Sequence, residues 1–311
     1  MGWMVLLPLV APLTALPIAR LAEQQSHPRA AARMLTWVSV LLAGCSTLSL
    51  GLLAVVGTAQ LPGNPLPDSW SNPEVRAAVP GDAGLGVVAV AVLGWTLLAV
   101  GGALARRALT RLRLRRALAG LPGDAEPALL PDARPYAYAV PGGRGRPGRI
   151  VVSTAMRAGL SADEYRALLA HERAHLAGRH HRYLLAGELA ARAHPLLTPL
   201  RVAAAYAMER WADEDAAGAV GDRGLTARAV GHAALVGHRA APGLAGFAAG
   251  PVPRRVAALL RPRPPARSWP PPNTRAGLAA LVAAAGTAAS ALCALNAAVT
   301  LFLVLKAATP L

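Results

Sequence analysis

The sequence predicts a mainly α-helical membrane protein, in which an α+β cytoplasmic domain is inserted between the third and the fourth of four transmembrane helices. Composition is the first reason: 54% of the 311 residues are hydrophobic and only 15% are charged, whereas soluble domains are about 25% charged. Distribution is the second, because the apolar residues collect in four runs and most charged residues lie between the third and the fourth. This pattern disfavours a soluble globular enzyme.

The transmembrane helices are predicted from run length. A bilayer core about 30 Å thick requires about 20 apolar residues in a helix, and the runs at 35–56, 85–104 and 277–305 satisfy this. The run at 3–19 is shorter and contains three prolines, but no basic residues precede it, so we interpret it as a span rather than a signal peptide. The predicted organisation is three transmembrane helices within 1–104 (about 3–19, 35–56 and 85–104), an inserted domain at 105–276, and a fourth transmembrane helix at 277–306.

Arginine placement predicts the orientation. The net charge is +16, and 27 of the 32 basic residues lie in 105–276, whereas the loop 57–84 contains only Arg76. The positive-inside rule therefore places 20–34 and 105–276 in the cytoplasm of a multi-pass cell-membrane protein, with both termini outside. The basic run at 106–116 predicts a juxtamembrane helix along anionic headgroups, and 261–273 is a Pro-rich tether. Topology thus explains the charge, and no direct nucleic-acid partner is expected.

The inserted domain contains one motif of metal-binding type. His171-Glu172-Arg173-Ala174-His175 is an H-E-x-x-H, in a predicted helix that begins at Ser161 and ends near Gly178. Histidines four residues apart lie on one helix face, where both can bind one Zn²⁺. Glu172 flanks that position and is the predicted general base for a water that attacks a peptide carbonyl. The alternative is a surface helix with two ordinary histidines.

A catalytic zinc ion requires a third protein ligand, for which Glu209 is the strongest candidate. Asp213 follows four residues later on the same predicted helix face and can accept a hydrogen bond from a ligand imidazole. Glu188 lacks such a partner, while His180 and His181 directly follow Gly178 and are predicted at the surface or at an interface. The alternative is a solvated acidic helix face.

Two further features are candidates for substrate contacts. His232 and His238 are candidate stabilisers of the oxyanion. The alternation in 136–140 and the β-branched run 149–153 predict a β-hairpin. In that hairpin Ile150, Val151 and Val152 are candidates to pair with an extended substrate; alternatively, the strands only cover the helix. The apolar segment 183–205 contains charges and prolines, so it predicts two helices of the inserted domain rather than a fifth span.

Together these features resemble the BlaR/MecR-type membrane zinc metallopeptidases, which are gluzincins. The specific part of the resemblance is 149–215, with the strand ending at Ser153, the H-E-x-x-H, and Glu209-Arg210-Trp211-Ala212-Asp213. It implies a cytoplasmic domain that cleaves a repressor or other cytoplasmic protein after a signal crosses the membrane. It also implies that His171, His175 and Glu209 bind one zinc ion per chain, with Glu172 as base and Asp213 supporting a ligand.

The predicted function is therefore that of an integral membrane zinc endopeptidase acting on a polypeptide, such as a transcriptional repressor. Sensor members of the family have a penicillin-binding domain after the last span, whereas only a few residues follow Leu305, so direct β-lactam sensing is not expected. One alternative is a housekeeping membrane protease of the CAAX-prenyl-protease or heat-shock type. Another is a non-catalytic membrane transducer with a zinc-peptidase-like fold.

Overall fold

The computed structural model describes residues 2–25, 27–78, 83–118, 127–143, 147–240, 251–264, 271 and 273–308. The strands are β1 (Ala128–Leu130), β2 (Ala137–Val140) and β3 (Arg149–Ser153). The α-helices are α1 (Leu7–Val10), α2 (Ala15–Gln25), α3 (Pro28–Thr58), α4 (Pro73–Ala78), α5 (Ala83–Leu118), α6 (Thr154–Ala158), α7 (Ala162–Ala177), α8 (His180–Ala193), α9 (Thr198–Val220), α10 (Arg223–Ala240), α11 (Val252–Leu259) and α12 (Arg275–Ala308).

Four helical segments are long and apolar enough to cross a membrane. They are Met4–Ala22, Pro28–Thr58, Ala83–Leu114 and Ala280–Ala308, which confirms the predicted number of membrane-length helices. Large apolar side chains point outward from them, as for Leu98 on α5 (75% exposed) and Leu292 on α12 (68% exposed). An outward-facing apolar surface suits lipid contact, so the arrangement is that of a multi-pass membrane protein.

The first of these segments alternates between 3-10 and α-helical turns because of its prolines. Pro12 lacks the N–H that would donate to the carbonyl oxygen of Pro8 four residues earlier. The Ser46 hydroxyl oxygen on α3 lies 2.6 Å from that carbonyl oxygen and 2.8 Å from the Leu42 carbonyl oxygen of its own helix, and its single proton can replace the missing donor at Pro8. A neighbouring helix can thus provide a hydrogen-bond donor to the carbonyl oxygen that proline leaves without one. A helix surrounded by lipid requires such a donor because no water is present.

The helical hairpin α8–α9 packs inside the membrane bundle. Leu197, in the 3-10 turn between the two helices, is fully buried in one core with Leu35 and Leu42 of α3. The Thr96 hydroxyl on α5 donates to the Ala193 carbonyl oxygen at the end of α8, at 3.4 Å. The two helices are those predicted over 183–205, but the sequence did not predict that they share a core with the spans. Small residues along α9 allow this close approach.

A three-stranded sheet in the order β1-β3-β2 lies next to α7. The predicted hairpin is present, since β2 pairs antiparallel with β3, while β1 was not predicted and pairs parallel with β3. Ile150, Val151 and Val152 are fully buried in the central strand, and Val151 and Val152 have partners on both sides. Their prediction as a substrate-binding strand is therefore wrong, because the edge strands are β1 and β2, and β2 is the one beside the candidate ligands.

Candidate metal centre

Helix α7 forms as its sequence predicts. The Glu164 N–H donates to the Ser161 hydroxyl oxygen at 3.3 Å, and the Ser161 N–H donates to the Glu164 carboxylate at 3.0 Å. This capping box starts the helix at Ala162, and Gly178 ends it. His171 and Glu172 consequently face the interior, with 9% and 8% of their surfaces exposed.

The two histidines of α7 meet Glu209 of α9. His171 Nε2 lies 3.0 Å from His175 Nε2, and the Glu209 oxygens lie 3.7 Å and 3.5 Å from these two nitrogens. A tetrahedral zinc ion with bonds of about 2.0–2.1 Å separates neighbouring ligand atoms by roughly 3.4 Å. One atom from each of the three residues can therefore bind a single zinc ion. Two histidines and one carboxylate form the donor set of catalytic zinc sites, which leave the fourth position open.

Asp213 occupies the position that its spacing predicts. Its Oδ1 lies 3.0 Å from His171 Nδ1, and the residue is 1% exposed. An acceptor at Nδ1 keeps the proton on that nitrogen, so Nε2 is directed toward Glu209 and the metal position. Asp213 thus orients His171 without reaching the metal position itself.

Arg255 on α11 is a site residue that the sequence analysis missed. Its Nε and Nη2 donate to the two Asp213 oxygens at 2.8 Å and 2.6 Å, and its Nη1 lies 2.9 Å from Glu209 Oε2. One guanidinium group therefore holds both carboxylates, and it is itself only 6% exposed. The available signal was that two adjacent buried carboxylates require a counter-charge. The sequence alone did not indicate which of the 32 basic residues supplies this positive charge.

His180 corrects a prediction, because it is buried rather than at the surface. It is 1% exposed, and its Nδ1 lies 2.8 Å from His175 Nδ1, so it holds His175 as Asp213 holds His171. Its ring centroid lies 4.4 Å from that of Trp211. The chain turns inward at Arg179, whose φ is 51°, and a Cβ atom at Gly178 would overlap the His180 ring.

The carboxylates set the charge of the centre. Burial disfavours the charged form of His171, but hydrogen bonds to Asp213 and Glu209 outweigh it and raise the pKa of His171 to about 10. Burial, followed by the nearby His171 charge, lowers the pKa of His175 to about 3. Burial raises the pKa of Glu209, but His171 and Arg255 outweigh that effect and lower it to about 2. In the protein alone, near pH 7, His171 is therefore positively charged, His175 is neutral and Glu209 is ionised.

Glu172 lies beside this centre without joining the ligand set. Burial raises its pKa above the ordinary value, although the His171 charge and a hydrogen bond from the Ala139 backbone act in the opposite direction. A carboxylate with a raised pKa is a stronger base than an exposed one, as general-base catalysis requires. Its role as the general base stays a prediction.

The open edge of β2 faces Glu172. The Ser153 N–H donates to the Tyr136 carbonyl oxygen at 3.0 Å. Since alternate residues of an antiparallel pair face the partner strand, the backbone groups of Ala137 and Ala139 face the open side. A cavity of about 300 Å³ lies there, lined by 137–139 and by the candidate ligands. It can accept an extended peptide beside the metal position.

The two candidate oxyanion residues lie on α10. His232 Nδ1 is 2.7 Å from Glu164 Oε1, at the N-terminal end of α7 and two turns before His171. The structure thus places His232 away from the predicted ligands and does not bring it to Glu172. His238 belongs to α10, but its side chain lies outside the described residues.

Comparison with known proteins agrees with this geometry. Residues 111–210 match the model of peptidase family M48. The match includes the sheet, the H-E-x-x-H and Glu209, and it implies a metallopeptidase of a zinc-dependent family. Asp213 and Arg255 lie beyond the matched residues. No curated protein and no solved structure matches the chain, so the finer resemblance to the BlaR/MecR type stays a prediction.

Proposed function

We propose that this chain is an integral membrane zinc endopeptidase that hydrolyses a cytoplasmic or juxtamembrane protein. The observation that supports it most directly is the spacing of His171, His175 and Glu209 around one metal position. Glu172 and the open edge of β2 lie on the same side. A structural zinc site would have four protein ligands and no such access.

Each residue of the centre has a defined task. His171, His175 and Glu209 would hold zinc, which when bound acts as a Lewis acid toward the substrate carbonyl and water. Glu172 accepts the proton of the attacking water and returns it to the leaving amine. The Ala139 N–H already donates to Glu172, so the outward backbone groups of Ala137 and the Ala139 carbonyl oxygen align the substrate main chain by strand addition, with little demand on its sequence.

The depth of the centre supports a substrate near the membrane surface. The tip of the α8–α9 hairpin lies level with Thr96, in the middle of the span predicted at 85–104. Glu209 follows Leu197 of that tip by twelve residues of helix, or about 18 Å. Half of the hydrocarbon core is about 15 Å, which puts the metal position near the boundary. The positive-inside rule assigns this boundary to the cytoplasm.

The proposed substrate is regulatory, such as a transcriptional repressor, because of the resemblance to the BlaR/MecR type. A housekeeping membrane protease is the second candidate, and the packing of α8–α9 within the bundle favours it, since a centre at the boundary is accessible to other membrane proteins. The chemistry is the same in both cases. Cleavage products in cells distinguish a single repressor from a broad set of membrane proteins.

The catalytic claim is tested with the full chain, purified in detergent and loaded with zinc. For Glu172→Gln we expect about one zinc ion per chain and a loss of peptide cleavage of roughly 100-fold or more. Glu188→Gln is the matched control, because that carboxylate pairs with Arg192 at 2.9 Å outside the centre. Full activity in Glu172→Gln, or a wild-type chain that binds no zinc, would overturn the proposal.

A further inference from the structure

A basic cavity lies beside Trp211. It has a volume of about 690 Å³ and is formed by the first turns of α3, the turn between α7 and α8, and α9. Four arginines line it, together with Trp37 and Trp211; the arginines are Arg29, Arg33, Arg179 and Arg182. No residue of the metal centre lines this cavity, so it is a separate site.

The four guanidinium groups have no acidic partners among the described residues, where no carboxylate oxygen lies within 4.0 Å of any of them. Arg223 and Arg255, by contrast, pair with Glu214 and Asp213. Asp215 is the one acidic residue that lines the cavity, and it accepts the Trp211 indole N–H at 2.8 Å. The cavity thus combines four positive charges with a single negative one.

Aromatic groups hold two of these arginines toward the cavity. The Arg29 guanidinium carbon lies 5.1 Å from the centre of the Trp211 ring. The Arg33 Nε donates to the Tyr183 hydroxyl oxygen at 3.4 Å. Neither contact neutralises charge, so both guanidinium groups remain available to an anion.

The same cavity changes from basic to apolar along α3. Arg29, Arg33, Trp37 and Val40 lie on one face of this helix, and the long apolar run of the span begins at Leu35. Trp37 is 58% exposed, at the level where indole rings mark a membrane boundary. A ligand that fills the cavity therefore meets charge at one end and apolar surface at the other.

We propose that this cavity binds an anionic phospholipid, with its headgroup phosphate among the four arginines and an acyl chain along Trp37 and Val40. Bidentate guanidinium groups are suited to phosphate oxygens. Free phosphate shares this chemistry but makes no use of the apolar end. The site does not depend on peptidase activity, and a chain without catalytic function would still bind the lipid.

The test titrates phospholipid onto the zinc-loaded full chain in detergent, with bound lipid counted by native mass spectrometry. We expect phosphatidylglycerol to bind more tightly than phosphatidylcholine with the same acyl chains. The double variant Arg33→Gln/Arg182→Gln should bind phosphatidylglycerol roughly 30-fold more weakly. Arg113→Gln/Arg116→Gln removes the same charge from the exposed end of α5 and should keep wild-type affinity.

Two further measurements distinguish binding of a phospholipid from binding of free phosphate. Trp37→Ala should weaken phosphatidylglycerol binding, and millimolar inorganic phosphate should not displace the lipid from the wild-type chain. Equal losses in the two arginine double variants would show diffuse surface attraction and overturn the proposal. Equal binding of the two lipids, or displacement by inorganic phosphate, would also overturn it. Zinc content and thermal unfolding verify that each variant is folded.

Discussion

Removing Arg255 tests whether one guanidinium group holds the metal centre together. In Arg255→Met, Asp213 and Glu209 stay buried but lose three contacts of 2.6–2.9 Å, and His171 is left as their shared partner. Breaking a buried ion pair from one side costs about 3–5 kcal/mol. Because a typical domain is stable by only about 5–15 kcal/mol, we expect a large loss of thermal stability in the presence of a chelator.

Zinc should recover part of that loss, since the ion compensates the charge of Glu209. The recovery is incomplete because Asp213 has no metal contact and His171 is less firmly oriented. Changes to groups that orient metal ligands reduce affinity about 10–100-fold, and we expect a decrease in this range. Thermal unfolding with chelator and with zinc, followed by tryptophan fluorescence, measures the first effect, and competition with a fluorescent chelator measures the second.

The neighbouring Arg254 is a matched control on the same helix. Its guanidinium carbon lies 4.6 Å from the centre of the Tyr206 ring, and a cation–π contact of this kind contributes about 0.5–1 kcal/mol at an exposed site. The contacts that hold Asp213 and Glu209 come from Arg255 and not from Arg254, so Arg254→Met should leave zinc affinity unchanged. If Arg255→Met matched this control in both measurements, the proposed role of Arg255 in holding the two carboxylates would be refuted.

Three other perturbations follow from the same contacts. His180→Phe keeps a ring on Trp211 but removes the contact with His175 Nδ1, so zinc affinity should fall about 10–100-fold while the fold is kept; unchanged affinity would contradict the role of His180. Zinc binding at pH 8 should release the proton of His171, because the pKa of His171 near 10 keeps it protonated, whereas His175 and Glu209, with pKa values near 3 and 2, have none to lose; a zinc-bound water with a pKa near 7 releases up to one more. Calorimetry in two buffers measures the total, which should fall by about one proton above about pH 10, and a release that stays constant from about pH 8 to about pH 11 would contradict the pKa assignment of His171. Ser46→Ala removes a hydroxyl within reach of both the Pro8 carbonyl and Leu42 of its own helix and should cost about 1–3 kcal/mol, whereas Thr47→Ala, which loses only a bond to Ala43 of its own helix, should cost less in the same unfolding measurement.

Features encoded over one or two helical turns could be predicted from the chain. The apolar runs, the capping box at Ser161 and the spacing of His171 and His175 depend on period and on short-range hydrogen bonds, which neighbouring residues specify. Glu209 and Asp213 could be chosen as a pair for the same reason, because four residues on a helix bring two side chains to one face. The hairpin of β2 and β3 was also visible as alternation.

Contacts between distant segments could not be predicted in this way. His180 was expected at the surface or at an interface because it directly follows the helix-ending Gly178, yet the turn at Arg179 brings it against His175 and Trp211. The central strand β3 was taken as a candidate to pair with substrate because β1, which covers it, is only three residues long and was not predicted. A strand of that length has no alternation to detect.

The sequence by itself determined the helices and brought together the two candidate metal-binding histidines and the candidate base, because each depends on geometry repeated every few residues. Only the tertiary structure decided which cation neutralises Asp213 and Glu209, since Arg255 lies 42 residues away and any of many arginines could have been the partner. It also decided that α8 and α9 enter the bundle, because a buried alanine-rich helix has the same local pattern whether its neighbours belong to a soluble domain or to membrane spans. Pairing across the chain depends on the complementarity of whole surfaces, which no short window of sequence contains.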